Sequence, residues 1–411
     1  MKINQETRSL VAFNHTYHKK FKDITVVERL LFPISKFNAT CAALLMYIME
    51  DRCEKYPSKQ AMLQIKDHLY GTTFSSGVIG YGKNMVLQLA SKVMDPQFGD
   101  DKTLLQAHSD WFYDVIHYPL INEETLKEAK AQVSSSLIRD LDQPSKYAQL
   151  KAFESLGANH VISINLDGDL ETLSTIEVDD LKTFYYQLLQ QSHKSMYVIG
   201  NIEKELAETL YKDRFIQDNH YVAFDIKPFD APALAPIEEV KETSQTQLVK
   251  LYKTNVSMDH PLYMANRVAI AALGQLPTSY LFTEIREKRS LCYSIYSQYI
   301  AFDGLCMVKT GIDQANIEKV HELIGEQVET LRKIDVDLLD QAKSMLINAI
   351  NNSDDELLSY VNLHYSYALL EQEFSKENVI ESIKAVNPLD IAQAVSLWED
   401  LLLFVVKGVK S

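Results

Sequence analysis

Residues 283–297, TEIREKRSLCYSIYS, join a charged helical segment directly to an alternating strand. Arg286 belongs to the helical part, and Tyr293 follows seven residues later in the strand. Spacing alone favours a surface ion pair for Arg286 and a half-buried strand position for Tyr293. A second apolar strand follows across Asp303-Gly304, a strong turn signal. This stretch therefore predicts a helix followed by a β-hairpin.

Outward from this stretch, each half of the chain shows similar elements in a similar order. Both halves close with an acidic-capped helix and then an apolar strand, which indicates an internal duplication of about 200 residues. Strands at both ends with helices between them predict an α+β fold: two similar domains, each a mixed sheet covered by helices. Strands are predicted at 21–32, 84–94, 195–202, 245–254, 292–300, 305–312 and 401–409, and helices at 38–51, 58–71, 101–117, 122–140, 145–156, 178–191, 261–273, 278–289, 314–331, 335–350, 354–371 and 388–400.

The length of 411 residues also favours two domains, because a single core rarely grows that large. The clearest candidate for an interdomain linker is residues 226–242, IKPFDAPALAPIEEVKE. Its three prolines forbid a regular helix or a central strand. We therefore predict an N-terminal domain at 1–222, a linker at 223–244 and a C-terminal domain at 245–411.

Composition excludes several classes of function. The formal net charge of −15 makes nucleic acid and anionic membrane surfaces unfavourable partners. The polar start lacks an apolar signal core, and the longest apolar runs, at 41–49 and 401–406, are too short to cross a bilayer. The four cysteines form no C-x-x-C pair, so we expect reduced core thiols in a cytoplasmic protein.

Several short segments of the sequence resemble segments of the zinc peptidase family that includes pitrilysin, insulysin and the mitochondrial processing peptidase. SYLFTEIREKRSLCYSIYSQY (279–299) is similar to that family's segment S-r-L-f-x-x-l-R-e-x-x-x-L-x-Y-s-v-x-S. Further similar words are VDDLKTFYYQLLQQSHKSMYVIGN (178–201), LDQPSKYA (141–148) and EKYPS (54–58). The resemblance covers nearly the whole chain and implies half of a four-domain peptidase clamshell.

Catalysis in that family depends on H-x-x-E-H, whose two histidines hold Zn²⁺ and whose glutamate acts as the general base. The motif is absent from this sequence. A third zinc ligand, a glutamate, should follow a downstream word that begins here at Glu128. Aligned on EKYPS, the motif positions fall on Ala43, Met46 and Tyr47, and the third-ligand position falls on Ser135 or Ser136. Since a catalytic zinc site needs three protein ligands, we expect no catalytic residue and no metal in this chain.

The resemblance gives Arg286 and Tyr293 a different role. In the family, an arginine and a tyrosine at this spacing bind the peptide and help stabilise the developing oxyanion. Some family enzymes are split into two chains, one with H-x-x-E-H and one with this pair. The resemblance therefore implies a non-catalytic, peptide-binding subunit of a heterodimeric zinc endopeptidase, with the zinc in the partner subunit.

Two alternatives remain open. One is a homodimeric peptide-binding or scaffolding protein without proteolysis, and the other is an active metallopeptidase with an unrecognised site. Other constellations are weaker: His15 and His18 have H-x-x-H spacing in a polar segment, and Glu50 and Glu54 lie one helical turn apart near the lost motif. Surface histidines and a solvated helix face explain both pairs without a metal.

Overall fold

The computed structural model describes residues 12–216, 224, 226, 229–353 and 356–409. The polar start at 1–11, the predicted domain boundary at 222–223 and Pro228 of the predicted linker lie outside these residues. Within the described ranges, no helix combines the length and apolar character needed to span a membrane.

The chain divides into two compact units that are not continuous in sequence. The first unit comprises the described parts of Met1–Ile138, Asn165–Phe224 and Val361–Glu373, and the second comprises those of Arg139–Ile164, Asp225–Tyr360 and Phe374–Ser411. Each unit therefore contains one segment from the other half of the chain.

The first unit is built on a mixed sheet in the order β1-β5-β2-β4-β3. β1 pairs with β5 in parallel, and the other neighbours pair antiparallel. The strands are β1 (Phe13–Tyr17), β2 (Asp23–Pro33), β3 (Thr73–Tyr81), β4 (Asn84–Met94) and β5 (His193–Gly200).

The second unit repeats this topology in the order β6-β10-β7-β9-β8, again with only its first pair parallel among the described strands. Two mixed five-stranded sheets with matching strand orders confirm the predicted fold class and the internal duplication. The strands are β6 (Ile237–Glu242), β7 (Thr246–Lys253), β8 (Cys292–Ile300), β9 (Leu305–Ile312) and β10 (Glu399–Val409).

Helices occupy most of the remaining chain, and several begin at clear caps. Ser35 Oγ accepts from Asn38 N at 3.0 Å, and Ser58 Oγ accepts from Ala61 N at 3.1 Å, which confirms the predicted Ser58 cap. The helices are α1 (Lys36–Asp51), α2 (Lys59–His68), α3 (Leu104–His117), α4 (Glu123–Asp142), α5 (Pro144–Glu154), α6 (Leu170–Thr175), α7 (Val178–Gln191), α8 (Lys204–Ala207), α9 (Asp213–Phe215), α10 (Tyr263–Gly274), α11 (Ile317–Thr330), α12 (Val336–Asn352), α13 (Leu357–Leu369), α14 (Lys376–Ala385) and α15 (Pro388–Ser396).

The core of the first unit surrounds β2, which is buried from Ile24 to Phe32. Arg29 of β2 is fully buried. Its guanidinium group donates to Gln88 Oε1 at 3.0 Å and to Asn362 Oδ1 of α13. The Tyr365 ring of the same helix lies 4.6 Å from the guanidinium carbon. Arg29 thus fixes α13, which comes from the second half of the sequence, against the first sheet.

The second sheet carries an equivalent crossing segment. Ala148 and Ala152 of α5 pack in one apolar cluster with Val249 and Phe404. Lys309 Nζ of β9 donates to Gln149 Oε1 of the same helix at 2.8 Å. α5 therefore completes the core of the second unit, although it precedes β5 of the first unit in sequence.

Most predicted elements are present, with informative differences. β4 and α7 have the predicted bounds, whereas β1, β3 and α14 were not predicted. β6 lies within the predicted linker at residues 237–242. It is an edge strand, and a strand at the edge tolerates the nearby prolines because only one side of it must pair.

Candidate functional site

Arg286 lies in a helical segment of a type that the sequence did not predict. The segment predicted as an α-helix over 278–289 is helical over 280–287, and Phe282–Glu287 is a π-helix. Lys288 N accordingly donates to Thr283 O, five residues earlier, at 3.0 Å. Such wide turns occur frequently at functional sites, because one extra residue per turn changes the direction of the side chains.

The segment ends in a tight reversal that leads into β8. Ser290 has a φ of +52°, and Leu291 N donates to Ile285 O at 3.0 Å. This bond spans one residue more than the 6→1 bond of a Schellman motif, and Ser290 takes the left-handed position that glycine usually occupies at a helix end. The reversal places the start of β8 immediately beside the helix end.

Arg286 has few competing contacts. Its guanidinium carbon lies 4.2 Å from the Phe282 ring centroid, and its Nε lies 3.6 Å from Glu287 Oε1, beyond hydrogen-bond distance. Its neighbour Arg289 instead donates to Glu284 Oε2 at 2.8 Å. The Arg286 side chain is 40% exposed, so its hydrogen-bond donors are available to a ligand.

Tyr293 lies on a β-bulge of the edge strand β8. Cys292 pairs with Ile312, but the next pair is Ile295 with Thr310, so β8 contains one extra residue at this point. A bulge of this kind turns a side chain away from its regular direction. Tyr293 is 88% exposed as a result, in contrast to the half-buried position that spacing alone favoured.

Cys292 directly precedes Tyr293, and its thiol is affected by the charge of Arg286. Burial raises the pKa of its thiol, and the nearby Arg286 charge acts in the opposite direction. The guanidinium group therefore lies close to the residue that precedes Tyr293. The guanidinium of Arg286 and the phenol of Tyr293 are both hydrogen-bond donors of the kind that bind a peptide carbonyl or carboxylate.

The predicted positions of the lost zinc motif lie on α1 and α4 of the first unit. Ala43 is 2% exposed in the core, and Met46 and Tyr47 are half-buried. Ser135 is exposed and Ser136 half-buried on α4. An alanine, a thioether, a phenol and hydroxyls do not supply the imidazole and carboxylate donors that zinc requires, so these residues do not fit the metal.

In the described ranges, no group of three or more His, Cys, Asp or Glu side chains is arranged to hold a metal ion. His15 Nε2 lies 2.8 Å from Ile202 O, and His18 Nδ1 accepts from Lys20 N at 3.1 Å. The H-x-x-H pair is thus engaged in local hydrogen bonds.

A cavity of about 400 Å³ lies where the end of α1 faces α4, and we call it the α1–α4 cavity. Ion pairs cross it: Arg52 bonds Glu124 at 3.1 Å and also Glu128, while Lys59 Nζ lies 2.5 Å from Asp51 and 3.4 Å from Glu128. The cavity is lined by Tyr47, Ile48, Glu50, Asp51, Arg52, Lys59, Thr125, Glu128, Ala129, Ala131 and Gln132.

The ion pairs of Arg52 and Lys59 were not predicted from the sequence, and the predicted position of Glu54 is wrong. α1 ends at Asp51 and Arg52 is already extended, so Glu54 does not lie one helical turn from Glu50. Among the cavity residues, Tyr47 and Glu128 were identified from the sequence through their positions in segments that resemble the family, and Glu50 through its spacing from Glu54. Arg52 and Lys59 carried no signal of this kind, since their partners on α4 are about 70 residues away in sequence.

Comparison with known proteins agrees with this picture. Residues 175–346 match the family model described as "Peptidase M16 inactive domain". The chain is 22% identical over 387 residues to a Bacillus subtilis (strain 168) protein named "Probable inactive metalloprotease YmfF", a match that covers 92% of this chain and 91% of that protein.

Two solved structures share the fold over nearly all of both chains. A conserved protein from Enterococcus faecalis V583 has a TM-score of 0.89 and 23% identity, with 98% of each chain covered. The peptidase M16 inactive domain from Pseudomonas fluorescens has a TM-score of 0.79 and 19% identity, with coverage of 96% and 95%.

The solved structures show the α+β fold that this chain shares with an M16 peptidase domain, and the family model, which includes residues 279–299, confirms the resemblance seen in that segment. The chain is similar to proteins described as inactive members of the M16 peptidase family, and its own sequence lacks the H-x-x-E-H motif.

Proposed function

We propose that this chain is the non-catalytic, peptide-binding subunit of a heterodimeric zinc endopeptidase of the cytoplasm. It supplies half of the chamber and the Arg286/Tyr293 pair, and a family partner supplies H-x-x-E-H and the zinc. The observation that carries the proposal is the 88% exposure of Tyr293 on a bulge, seven residues after the partly exposed Arg286. A tyrosine with only a structural role in a strand would pack against its neighbours instead.

The chemistry of the pair suits a peptide. The Arg286 guanidinium presents several N–H donors in a fixed plane, and the Tyr293 hydroxyl adds another. Donors held in place before the reaction stabilise negative charge that develops on a carbonyl oxygen. Among the described residues, no carboxylate lies within hydrogen-bond distance of either side chain, so few interactions must be broken before a peptide binds.

The four free and buried cysteines support a reducing compartment. Raised thiol pKa values at Cys41, Cys53, Cys292 and Cys306, caused first by burial, fit inert core thiols rather than nucleophiles.

Purification of the tagged chain from its native cell tests the proposal. We expect an M16 chain with H-x-x-E-H to co-purify, and peptide hydrolysis to require both chains. A zinc chelator should abolish hydrolysis without changing the melting temperature of this chain alone. Recovery of only copies of this chain, with no hydrolysis on adding any family partner of the same cell, would favour the homodimeric scaffold instead.

A further inference from the structure

We propose that Arg29 of β2 and Tyr365 of α13 form a buried binding site for a small monovalent anion, for which chloride is the model ligand. The inference uses neither Arg286 nor Tyr293, and it does not depend on a partner subunit.

Arg29 is a buried cation whose hydrogen-bond acceptors are all uncharged. Its side chain is fully buried. Nε and Nη2 donate to Gln88 Oε1 at 3.0 and 2.5 Å, Nη2 also donates to Asn362 Oδ1, and Nη1 donates to the Tyr81 hydroxyl at 3.3 Å. Within the described ranges, no Asp or Glu side chain accepts from this guanidinium group.

These bonds leave the charge of Arg29 unbalanced. A guanidinium group keeps its proton in proteins, so burial cannot neutralise it as it can neutralise a lysine. The adjacent carboxyl group, Glu28, lies on the opposite face of β2, because successive side chains of a strand alternate. Burial also raises the pKa of Glu28 to about 8, so this group is largely uncharged at neutral pH. Buried charges are normally paired, and a bound anion would provide the missing partner.

Two hydrogen-bond donors without an acceptor accompany this charge. A guanidinium group has five N–H donors, and the four bonds of Arg29 leave one N–H of Nη1 without an acceptor among the described residues. Tyr365 is also fully buried, and its hydroxyl has no hydrogen-bond partner in these ranges. The guanidinium carbon lies 4.6 Å from the centroid of the Tyr365 ring, so the two groups are neighbours. Burial of unpaired donors costs free energy, which an acceptor shared by both would recover.

The chemistry of the site selects a small anion with a single charge. One guanidinium group balances one negative charge, and the loss of hydration on burial is much larger for a divalent anion such as sulfate. A water molecule could satisfy the donors, but it would leave the charge of Arg29 unbalanced. A halide accepts from both donors, balances the charge and is close to a methyl group in size. Bound here, it also links α13 to β2.

Bromide tests the site directly, because it replaces chloride and scatters X-rays anomalously. Crystals of the full chain soaked in sodium bromide should show an anomalous peak in contact with Arg29 Nη1 and the Tyr365 hydroxyl. Crystals of Arg29→Met soaked in the same way should lack this peak.

Thermal unfolding of the full chain tests the site in solution. Chloride replaces gluconate at constant ionic strength, so that only the identity of the anion changes. At a chloride concentration about tenfold above Kd, the melting temperature should rise by roughly 3–6 °C. Tyr365→Phe removes one donor to the anion and should reduce this rise to about 1 °C, since a hydrogen bond to a charged group is strong.

Tyr211→Phe is the matched control for this change. Tyr211 is also fully buried in the first unit, but its hydroxyl lies 2.9 Å from His108 Nδ1. The variant should unfold at a lower temperature because a hydrogen bond is lost, and it should keep the full rise with chloride.

The inference is overturned if bromide occupies only other positions in crystals of the unmodified chain. It is also overturned if chloride leaves the melting temperature unchanged, or raises it equally in Tyr365→Phe and in the unmodified chain. Tyr365→Phe decides the question even if Arg29→Met does not fold, because no described residue bonds the hydroxyl that it removes. Neither experiment involves a partner subunit, so their outcome is independent of the proposed peptidase function.

Discussion

Arg52 and Arg286 both lie at the end of a helix, but one is committed to its neighbours and the other is not. Arg52 is 8% exposed and bonds two carboxylates, whereas Arg286 is 40% exposed and approaches one carboxylate at 3.6 Å. An arginine whose buried terminal nitrogens are paired with carboxylates stabilises its surroundings, while a partly exposed arginine without such a pair can bind a ligand. Of these two arginines, Arg52 of the first unit is thus largely buried, and Arg286 of the second unit is partly exposed.

The interior of the first sheet extends this contrast. Adjacent residues Glu28 and Arg29 of β2 are both fully buried. Neither carboxylate oxygen of Glu28 has a hydrogen-bond partner among the described residues. Burial raises the pKa of Glu28 to about 8, and the nearby Lys194 charge opposes this rise only in part. The first unit should therefore respond strongly to pH.

The largest expected effect is the removal of this pH dependence by Glu28→Gln. Because the folded pKa of about 8 exceeds the unfolded value near 4.5, the stability is fully present below pH 4.5 and falls as the pH rises toward 8. At about 1.4 kcal/mol per pKa unit, the loss across this window is on the order of 4 kcal/mol. Urea unfolding of the unmodified chain and of Glu28→Gln at pH 5 and pH 8 measures it as the change in the difference between the two chains. Comparison of the two chains is needed because burial lowers the pKa of His108 to about 3 and of His117 to about 4, and their contribution to stability rises with pH in both chains.

Glu238→Gln is the matched control for this change, since Glu238 lies on the edge strand β6 and is half-exposed beside Lys407. Its unfolding curves should keep the pH dependence of the unmodified chain. A Glu28→Gln chain that also keeps the full dependence would mean that another buried group controls it, and the contrast between the two units would lose its electrostatic basis.

A smaller loss of stability is expected for Arg52→Met. The change leaves Glu124 and Glu128 without their buried partner, but both carboxylates reach water, so the cost is roughly 2 kcal/mol rather than the larger cost of a fully buried pair. Lys55→Met breaks the ion pair of a 56% exposed lysine with Asp114 and should cost less than about 1 kcal/mol. Equal melting temperatures for the two variants would show that the Arg52 network does not hold α1 to α4.

The elements most easily predicted from the sequence are those whose signals are local. β4 alternates, and the first turn of α7 is acidic, so both were predicted with the observed bounds. β3 was missed because Gly77 and Gly80 and its serines weaken the strand pattern. β6 was missed because it follows a proline-rich stretch and is rich in acidic residues.

Long-range features could not be predicted in this way. The packing of α5 in the second unit and of α13 in the first depends on contacts such as Lys309 with Gln149, which are 160 residues apart. The bulge at Tyr293 arises from the pairing of β8 with β9, and no single residue type in the sequence predicts it. The positions of Arg286 and Tyr293 could be predicted by family resemblance, but their exposure could not.

Arg286→Ala should separate function from stability. We expect the activity of the assembled heterodimer to fall roughly 10²-fold, as when one donor to an oxyanion is lost. Unfolding of the isolated chain should change by less than about 0.5 kcal/mol, since Arg286 is partly exposed and loosely held. Arg289→Ala is the control, because Arg289 is equally exposed at 41% but is paired with Glu284.

The comparison of the two arginine variants decides between the roles. If Arg289→Ala lowers the hydrolysis rate as much as Arg286→Ala does, the effect reflects the net charge of the segment and not one positioned guanidinium. A sharp fall in the melting temperature of Arg286→Ala together with full activity would make Arg286 a structural residue like Arg52.

The smallest effect is expected for Tyr293→Phe, which removes one hydroxyl and keeps the ring. Because the ring is 88% exposed, folding should be unaffected, and the loss of one hydrogen bond to substrate should lower kcat/KM of the heterodimer by roughly tenfold. Tyr296→Phe, in the same strand and 38% exposed, is the matched control and should leave kcat/KM unchanged. If both variants retain full kcat/KM, the hydroxyl of Tyr293 does not contact the substrate. The exposed ring would then serve only as an apolar surface, and Arg286 alone would carry the contrast with the first unit.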